Sequence, residues 1–337
     1  MDLNTIWFIL ITVLFIGYFF LEGFDYGVGM LLPFIAKDDT ERRIIINTIG
    51  PHWDGNEVWL LTAGGASFAA FPEWYATLFS GFYLPLFLML IGLIVRAVAF
   101  EYRSKEESLK WRYNWDWMIF IGSFLTALLW GVAVANIMRG TPIDATKTYT
   151  GGFFNLLNPY GLIGGVTFVV LFLYHGAVFL SLKIGGEFEQ RIKATAEKLW
   201  LPAVGLAVIF VLYTYFDVDI FAAKGFAAFI PPLIAAVSLV LSGIYLKSSK
   251  IGLSFILTSL TVVFVTITAF FTLYPNVMIS STSPEYSLTI YNASASQYTL
   301  GVMTWVAGIL VPFVLVYQAW SYIVFKKRLT KDSELEY

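Results

Sequence analysis

The chain has no cysteine and only two histidines in 337 residues, and charged side chains make up just 13% of it. Without cysteine there are no disulfides, no iron–sulfur clusters, no c-type haem attachment and no thiolate zinc site. Two histidines leave little capacity for metal or haem. A soluble globular protein carries about 25% charged residues, so roughly half that complement cannot cover a water-facing surface. What fills the space is apolar: 58% hydrophobic residues, with 31 Phe, 19 Tyr and 11 Trp, and a mean hydropathy of +0.74. The bulk solvent is therefore lipid. This excludes soluble enzymes, nucleic-acid binders and disordered scaffolds. The net charge of −2 says little about partners, because in a membrane the placement of charge matters more than its sum.

About 20 apolar residues cross the hydrocarbon core. Runs of that kind predict nine spans, at 4–35, 50–71, 75–99, 116–138, 159–182, 199–217, 226–246, 251–275 and 298–325. The opening Met1-Asp2 lacks a basic segment and a small-residue cleavage site, so the first span is expected to stay. Seventeen of the 21 basic residues then fall on one side, in the groups Lys37 to Arg43, Arg103 to Arg112, Lys183 to Lys198, Lys247 with Lys250, and Lys326 to Lys331. Arg139, Lys147 and Lys224 fall on the other, and Arg96 lies inside a span. The positive-inside rule predicts an all-α integral membrane protein with its N-terminus outside and its C-terminus cytoplasmic. The expected divisions are 1–140, 141–275 and 276–337. Gly23 with Gly27, Gly161 with Gly165, and Gly64-Gly65 suit close helix packing.

An ionisable side chain in a span costs at least about 2.5–3.5 kcal/mol and marks a functional candidate. The set is Glu22, Asp25, Asp54, Glu57, Arg96 and His175. Glu22/Asp25 and Asp54/Glu57 are i, i+3 pairs, each sharing a helix face. With Glu101 just beyond Arg96, these groups converge on the cytoplasmic half of an early bundle. They read either as mutual structural pairing or as a proton-conducting chain with its mouth near Glu101 and Arg103. His52, after Gly50-Pro51, fits a helix start. His52 and His175 together leave a b-type membrane cytochrome open, and the intramembrane charges leave an ion-coupled secondary transporter open. Most tryptophans flank span ends as an interfacial belt; Trp59, two turns into the second span, is the exception.

Several stretches are closely similar to one family. Glu22-Gly23-Phe24-Asp25-Tyr26-Gly27-Val28-Gly29-Met30, Asp39-Thr40-Glu41-Arg42-Arg43 and Pro51 through Leu60 resemble subunit II of the cytochrome bd quinol oxidases. So do Phe79-Ser80-Gly81-Phe82-Tyr83, Arg96 through Lys105, Trp115-Asp116-Trp117 and Met303-Thr304-Trp305-Val306-Ala307. The resemblance covers nearly the whole chain. It implies nine helices, as two four-helix bundles plus one peripheral helix, in a two-subunit enzyme that oxidises quinol and reduces O2 to water. It implies that two b-type haems and one d-type haem sit in subunit I. Subunit II then holds no haem or metal and no catalytic residue, and supports its partner across an apolar interface. The cytoplasmic proton path implied by the family runs along Asp25, Asp54 and Glu101, with Glu22, Glu57 and Arg96 as further members. Trp59 matches a position near an oxygen route or the interface. A structural quinone, a small single-helix accessory subunit and a prokaryotic inner-membrane location complete what the resemblance implies.

Overall fold

Asp2 caps the first helix by accepting a hydrogen bond from the Thr5 amide at 2.8 Å, and α1 (Leu3–Ile35) then runs for 33 residues. At 1.5 Å per residue that is about 50 Å, longer than the ~30 Å hydrocarbon core. In the computed structural model, which describes residues 1–218, 224–333 and 335, α1 is the central post. A short amphipathic helix, α2 (Asp39–Ile49), follows, capped by Asp38 and laying Ile44, Ile45, Ile46 and Ile49 inward. Next come α3 (Trp53–Ala70), α4 (Pro72–Gly81), α5 (Tyr83–Tyr102) and α6 (Leu109–Arg139). After the four-residue α7 (Phe153–Leu156) the chain forms α8 (Pro159–Lys183), α9 (Glu187–Asp217), α10 (Ile230–Lys247), α11 (Ile251–Leu273) and α12 (Gln297–Val324).

Among the described residues, eight helices are long and apolar enough to cross a membrane: α1, α5, α6 and α8 through α12. The sequence predicts nine. The difference is α3, whose first five residues include Asp54, Asn56 and Glu57 and lower its hydropathy. The span expected at 75–99 is two helices, broken at Phe82. Pro85 follows in the first turn of α5, where a residue without an N–H begins a helix more readily than it continues one. Polar extensions also lengthen α6 and α9, which begin at Leu109 and Glu187 instead of 116 and 199. The segment 276–297 holds a small antiparallel hairpin, β1 (Asn276–Met278) with β2 (Leu288–Thr289), that apolar periodicity does not reveal.

With lipid on one side and side chains on the other, helices gain by close contact and not by escape from water. Two crossings show it. A Cβ on Gly27 of α1 would lie 1.9 Å from the Phe172 carbonyl oxygen of α8, and one on Gly176 would lie 2.6 Å from Gly27. A Cβ on Gly131 of α6 would meet the Gly164 carbonyl oxygen at 2.4 Å. Gly64 and Gly65, by contrast, face nothing within 4 Å. The α12 helix is almost uncovered, with Trp305 78% and Phe313 72% exposed.

The connections sort into two groups. In one, Asn4 donates to the Ile290 carbonyl at 2.7 Å, Thr77 to the Lys147 carbonyl at 2.7 Å, and the Ala295 amide to the Ala70 carbonyl at 2.9 Å. In the other, the Leu329 amide donates to the Lys183 carbonyl at 2.8 Å, Arg43 to the Leu335 carbonyl at 2.9 Å, and Arg103 to Asp39 at 2.7 Å.

Candidate functional site

The polar first turn of α3 turns inward against the middle of α1, and α5 approaches from the other side. Glu22 and Asp25, one turn apart on α1, are fully buried, as is Arg96 of α5. Arg96 Nη1 donates to Glu22 Oε2 at 2.6 Å and to Glu57 Oε1 at 3.1 Å. Its guanidinium also lies over the rings of Tyr26, at 4.7 Å, and Phe100, at 5.5 Å. An arginine suits this place because its delocalised charge pairs with carboxylates and stacks on aromatic faces together. Behind it, Trp130 Nε1 donates to the Tyr18 hydroxyl at 2.9 Å, and Tyr18 shares a hydrogen bond with the Tyr26 hydroxyl.

Asp25 belongs to a second arm. Asn56 Nδ2 donates to Asp25 Oδ2 at 2.7 Å. The Asn56 carbonyl oxygen in turn accepts from the Tyr322 hydroxyl at 2.9 Å and from Gln318 at 3.1 Å. His52 stacks on the Tyr322 ring with centroids 4.1 Å apart, and Ser321 Oγ lies 3.3 Å from its Nδ1. Among the described residues, no donor reaches Glu22 Oε1 or Asp25 Oδ1, although both are buried. Three carboxyls therefore gather around one guanidinium in the core of a membrane protein.

The structure thus brings together four of the six residues that the family resemblance puts on the proton path: Glu22, Asp25, Glu57 and Arg96. Asp54 and Glu101 stand apart, both exposed at helix ends, although Asp54 remains close enough to Glu57 to add to its negative field. Arg103 is no open mouth either. It is 1% exposed and donates to Asp116 at 2.6 Å and Asp39 at 2.7 Å, while Arg112 donates to the other Asp39 oxygen at 2.6 Å. This knot locks α2 to α5 and α6. Partial burial would raise the Asp39 pKa, but hydrogen bonds and charge from Arg103 and Arg112 hold its carboxyl below the usual range. Trp59 packs against Gly17 of α1, where a Cβ would lie 2.2 Å from its ring.

The histidines are committed to packing. His175, fully buried on α8, lies parallel to Phe255 with centroids 5.3 Å apart. Its Nε2 lies 3.2 Å from the Phe20 carbonyl oxygen and its Nδ1 2.8 Å from the Thr258 hydroxyl. A carbonyl only accepts, so Nε2 carries the proton and Nδ1 accepts from Thr258. An axial haem ligand would have to abandon one of those bonds. No group of three or more His, Asp or Glu able to hold a metal ion occurs among the described residues.

Sequence reasoning missed Asn56, Gln318 and Tyr322. A usable signal was present: Gln318 and Tyr322 are an i, i+4 polar pair inside the apolar α12.

The chain is similar to known proteins along nearly its whole length. The family model described as cytochrome bd terminal oxidase subunit II matches residues 3–325. Cytochrome bd ubiquinol oxidase subunit 2 of Bacillus subtilis (strain 168) is 41% identical over 337 residues, covering 100% of this chain and 99% of that protein. Cytochrome bd-I ubiquinol oxidase subunit 2 of Escherichia coli (strain K12) is 42% identical over 366 aligned positions, covering 98% and 96%. In fold, the chain is similar to a bd oxidase structure from Geobacillus thermodenitrificans, with a TM-score of 0.79 and 16% identity over 97% of this chain and 100% of that one. The chain belongs to the cytochrome bd terminal oxidase subunit II family.

Proposed function

We propose that this chain is the haem-free second subunit of a quinol-oxidising bd-type oxidase in a bacterial cell membrane, and that its buried carboxyl cluster passes protons from the cytoplasm toward O2 reduction. The observation that carries the proposal is the grouping of Glu22, Asp25 and Glu57 around Arg96. Reducing O2 to two waters consumes four electrons and four protons. The named relatives are ubiquinol oxidase subunits, so the electrons are assigned to a quinol. Taking the protons from the inner side stores about 2.3 kcal/mol per charge for each 100 mV.

The cluster has the stoichiometry for such a task. Three carboxyls and one guanidinium are electrically neutral with two protons aboard, so a proton that leaves is replaced without a lasting buried charge. Glu22 Oε1 and Asp25 Oδ1, buried and without a donor among the described residues, are the places we assign to those protons. Asp54, exposed beside Glu57, is the entry we assign to this arm, with Glu101 at the rim of α5.

The proposed topology has nine crossings, N-terminus outside and C-terminus inside, with α3 as the extra one. The two groups of connections support it: Asn4, Ala70 and Thr77 belong to one, and Asp39, Arg103 and Leu329 to the other. On this reading α1, α3, α5 and α6 make one bundle, α8 to α11 the second, and α12 is peripheral. The exposed face of α3 around Leu61, Gly64 and Phe68 is assigned to the partner. Subunit I would hold the two b-type haems and the d-type haem, as the family resemblance implies; both ring nitrogens of His175 are taken by other bonds. A structural quinone and a single-helix accessory subunit remain part of the family expectation.

The test is turnover. Asp25→Asn and Glu57→Gln should each slow quinol-driven O2 uptake, on the order of 10²-fold for a lost proton carrier, with the haem spectrum of the complex intact. Wild-type turnover in both variants would defeat the proton path. Loss of haem along with activity would make the acids assembly elements.

A further inference from the structure

Between α1, α8, α11 and the end of α12 lies a cavity of about 450 Å³, which touches the Asp25 arm only through Tyr322 and His52. Its rim carries Lys183, Lys326 and Arg328. Its depth is apolar, walled by Phe20, Phe24, Phe179 and Phe255. We infer that this cavity is a binding site for an anionic phospholipid, whose headgroup rests on the lysines and whose acyl chain lies against the phenylalanines.

Charge and shape both select that occupant. Of the three cations, Arg328 is already taken: it pairs with Glu189 at 2.8 Å and donates to the Ser181 and Ile184 carbonyls. Lys183 donates one proton to the Phe325 carbonyl, and an ammonium has three to give. Lys326 is exposed and has no hydrogen bond or ion pair among the described residues. Two cations are thus left for an anion at the mouth of an apolar pocket at the end of the helices. Basic pockets between membrane helices bind acidic headgroups in this way. A second observation points inward as well. His52 is 4% exposed and lines the cavity, and its Nε2 has no partner among the described residues. A neutral lipid would leave the lysines unmatched, and a free phosphate would leave the phenylalanine walls bare.

The test is native mass spectrometry of the detergent-purified oxidase complex, titrated with dioleoylphosphatidylglycerol, dioleoylphosphatidylcholine or inorganic phosphate. Wild type should retain one phosphatidylglycerol that phosphatidylcholine and millimolar phosphate do not displace. Lys326→Gln should weaken that adduct on the order of fivefold, as expected for one cation near an acidic headgroup. Lys183→Gln/Lys326→Gln should weaken it about 25-fold. Leu182→Trp, which fills the apolar wall and leaves the cations in place, should abolish the adduct while the haem spectrum reports an assembled complex. Equal retention in wild type and Lys326→Gln would overturn the proposal. So would equal affinity for the two lipids, displacement by phosphate, or a bound quinone in place of the lipid.

Discussion

Arg96→Gln is the substitution to which the buried cluster is most sensitive. The guanidinium nitrogen lies 2.6 Å from Glu22 and 3.1 Å from Glu57, and the Arg96 and Glu22 side chains are fully buried. At an effective dielectric constant near 20, whichever of the two carboxyls is ionised attracts the guanidinium by about 5–6 kcal/mol. Removing the ions from water takes back several kcal/mol apiece, so the intact pair contributes little net, yet breaking a buried pair typically costs about 3–5 kcal/mol. Spread over a chain of this size, that is a fall in Tm of about 4–7 °C. Glu22→Gln/Arg96→Gln removes the stranded charge with its partner and should recover at least half of the loss. Glu57→Gln alone should lower the Tm less, because its side chain is 19% exposed. The assay is thermal unfolding of the purified complex followed by tryptophan fluorescence. The reasoning fails if Arg96→Gln melts within about 2 °C of wild type, or if the double variant is no more stable than the single.

Other consequences can be checked with the same preparation. Gly27→Val places a side chain into the Phe172 carbonyl oxygen, 1.9 Å from its Cβ, and should prevent α1 from seating on α8, read as failure to recover assembled complex. Gly205→Ala, with nothing within 4 Å, should leave the Tm unchanged within about 1 °C. His175→Leu should lower stability by about 1–3 kcal/mol through its lost hydrogen bonds while the haem content of the complex, read optically, stays at wild type. A folded-state pKa depressed at Asp39 contributes stability above the unfolded value near 4 that is lost as pH falls through the folded one. Asp39→Asn should therefore flatten the Tm-against-pH curve below about pH 4.

Most helices were legible because a 20-residue apolar run has few other uses, and the positive-inside rule gave those runs an expected order. The failures have physical causes. The 50–71 run reads as a span, yet Asp54, Asn56 and Glu57 in its first turn keep α3 out of the eight long apolar helices. The break at Phe82 is local backbone geometry inside an unbroken apolar stretch, invisible to hydropathy. At the site, charged residues announced themselves, since an acid in a span has no routine explanation. Asn56, Gln318 and Tyr322 did not, because a neutral amide or phenol costs little enough to pass as packing. Asp54 and Glu101, which the family resemblance adds to the path, are exposed at helix ends, a placement that sequence spacing does not reveal. The Arg103–Asp116 pair was hidden for another reason: a basic residue near a span end reads as a topology signal until its partner is seen.

The polar link between Asn56 and the last helix bears on how the subunit is made. Asn56 accepts hydrogen bonds from residues 262 and 266 positions later. At about 5–20 residues per second of synthesis, its carbonyl oxygen waits roughly 13–50 s for Gln318 and Tyr322 to emerge from the ribosome. Throughout that interval Asn56 and Asp25 sit among inserted helices with one acceptor unmet. A nascent chain stalled before α12 therefore carries an open polar wound in its core. Only a chain that has reached α12 closes it.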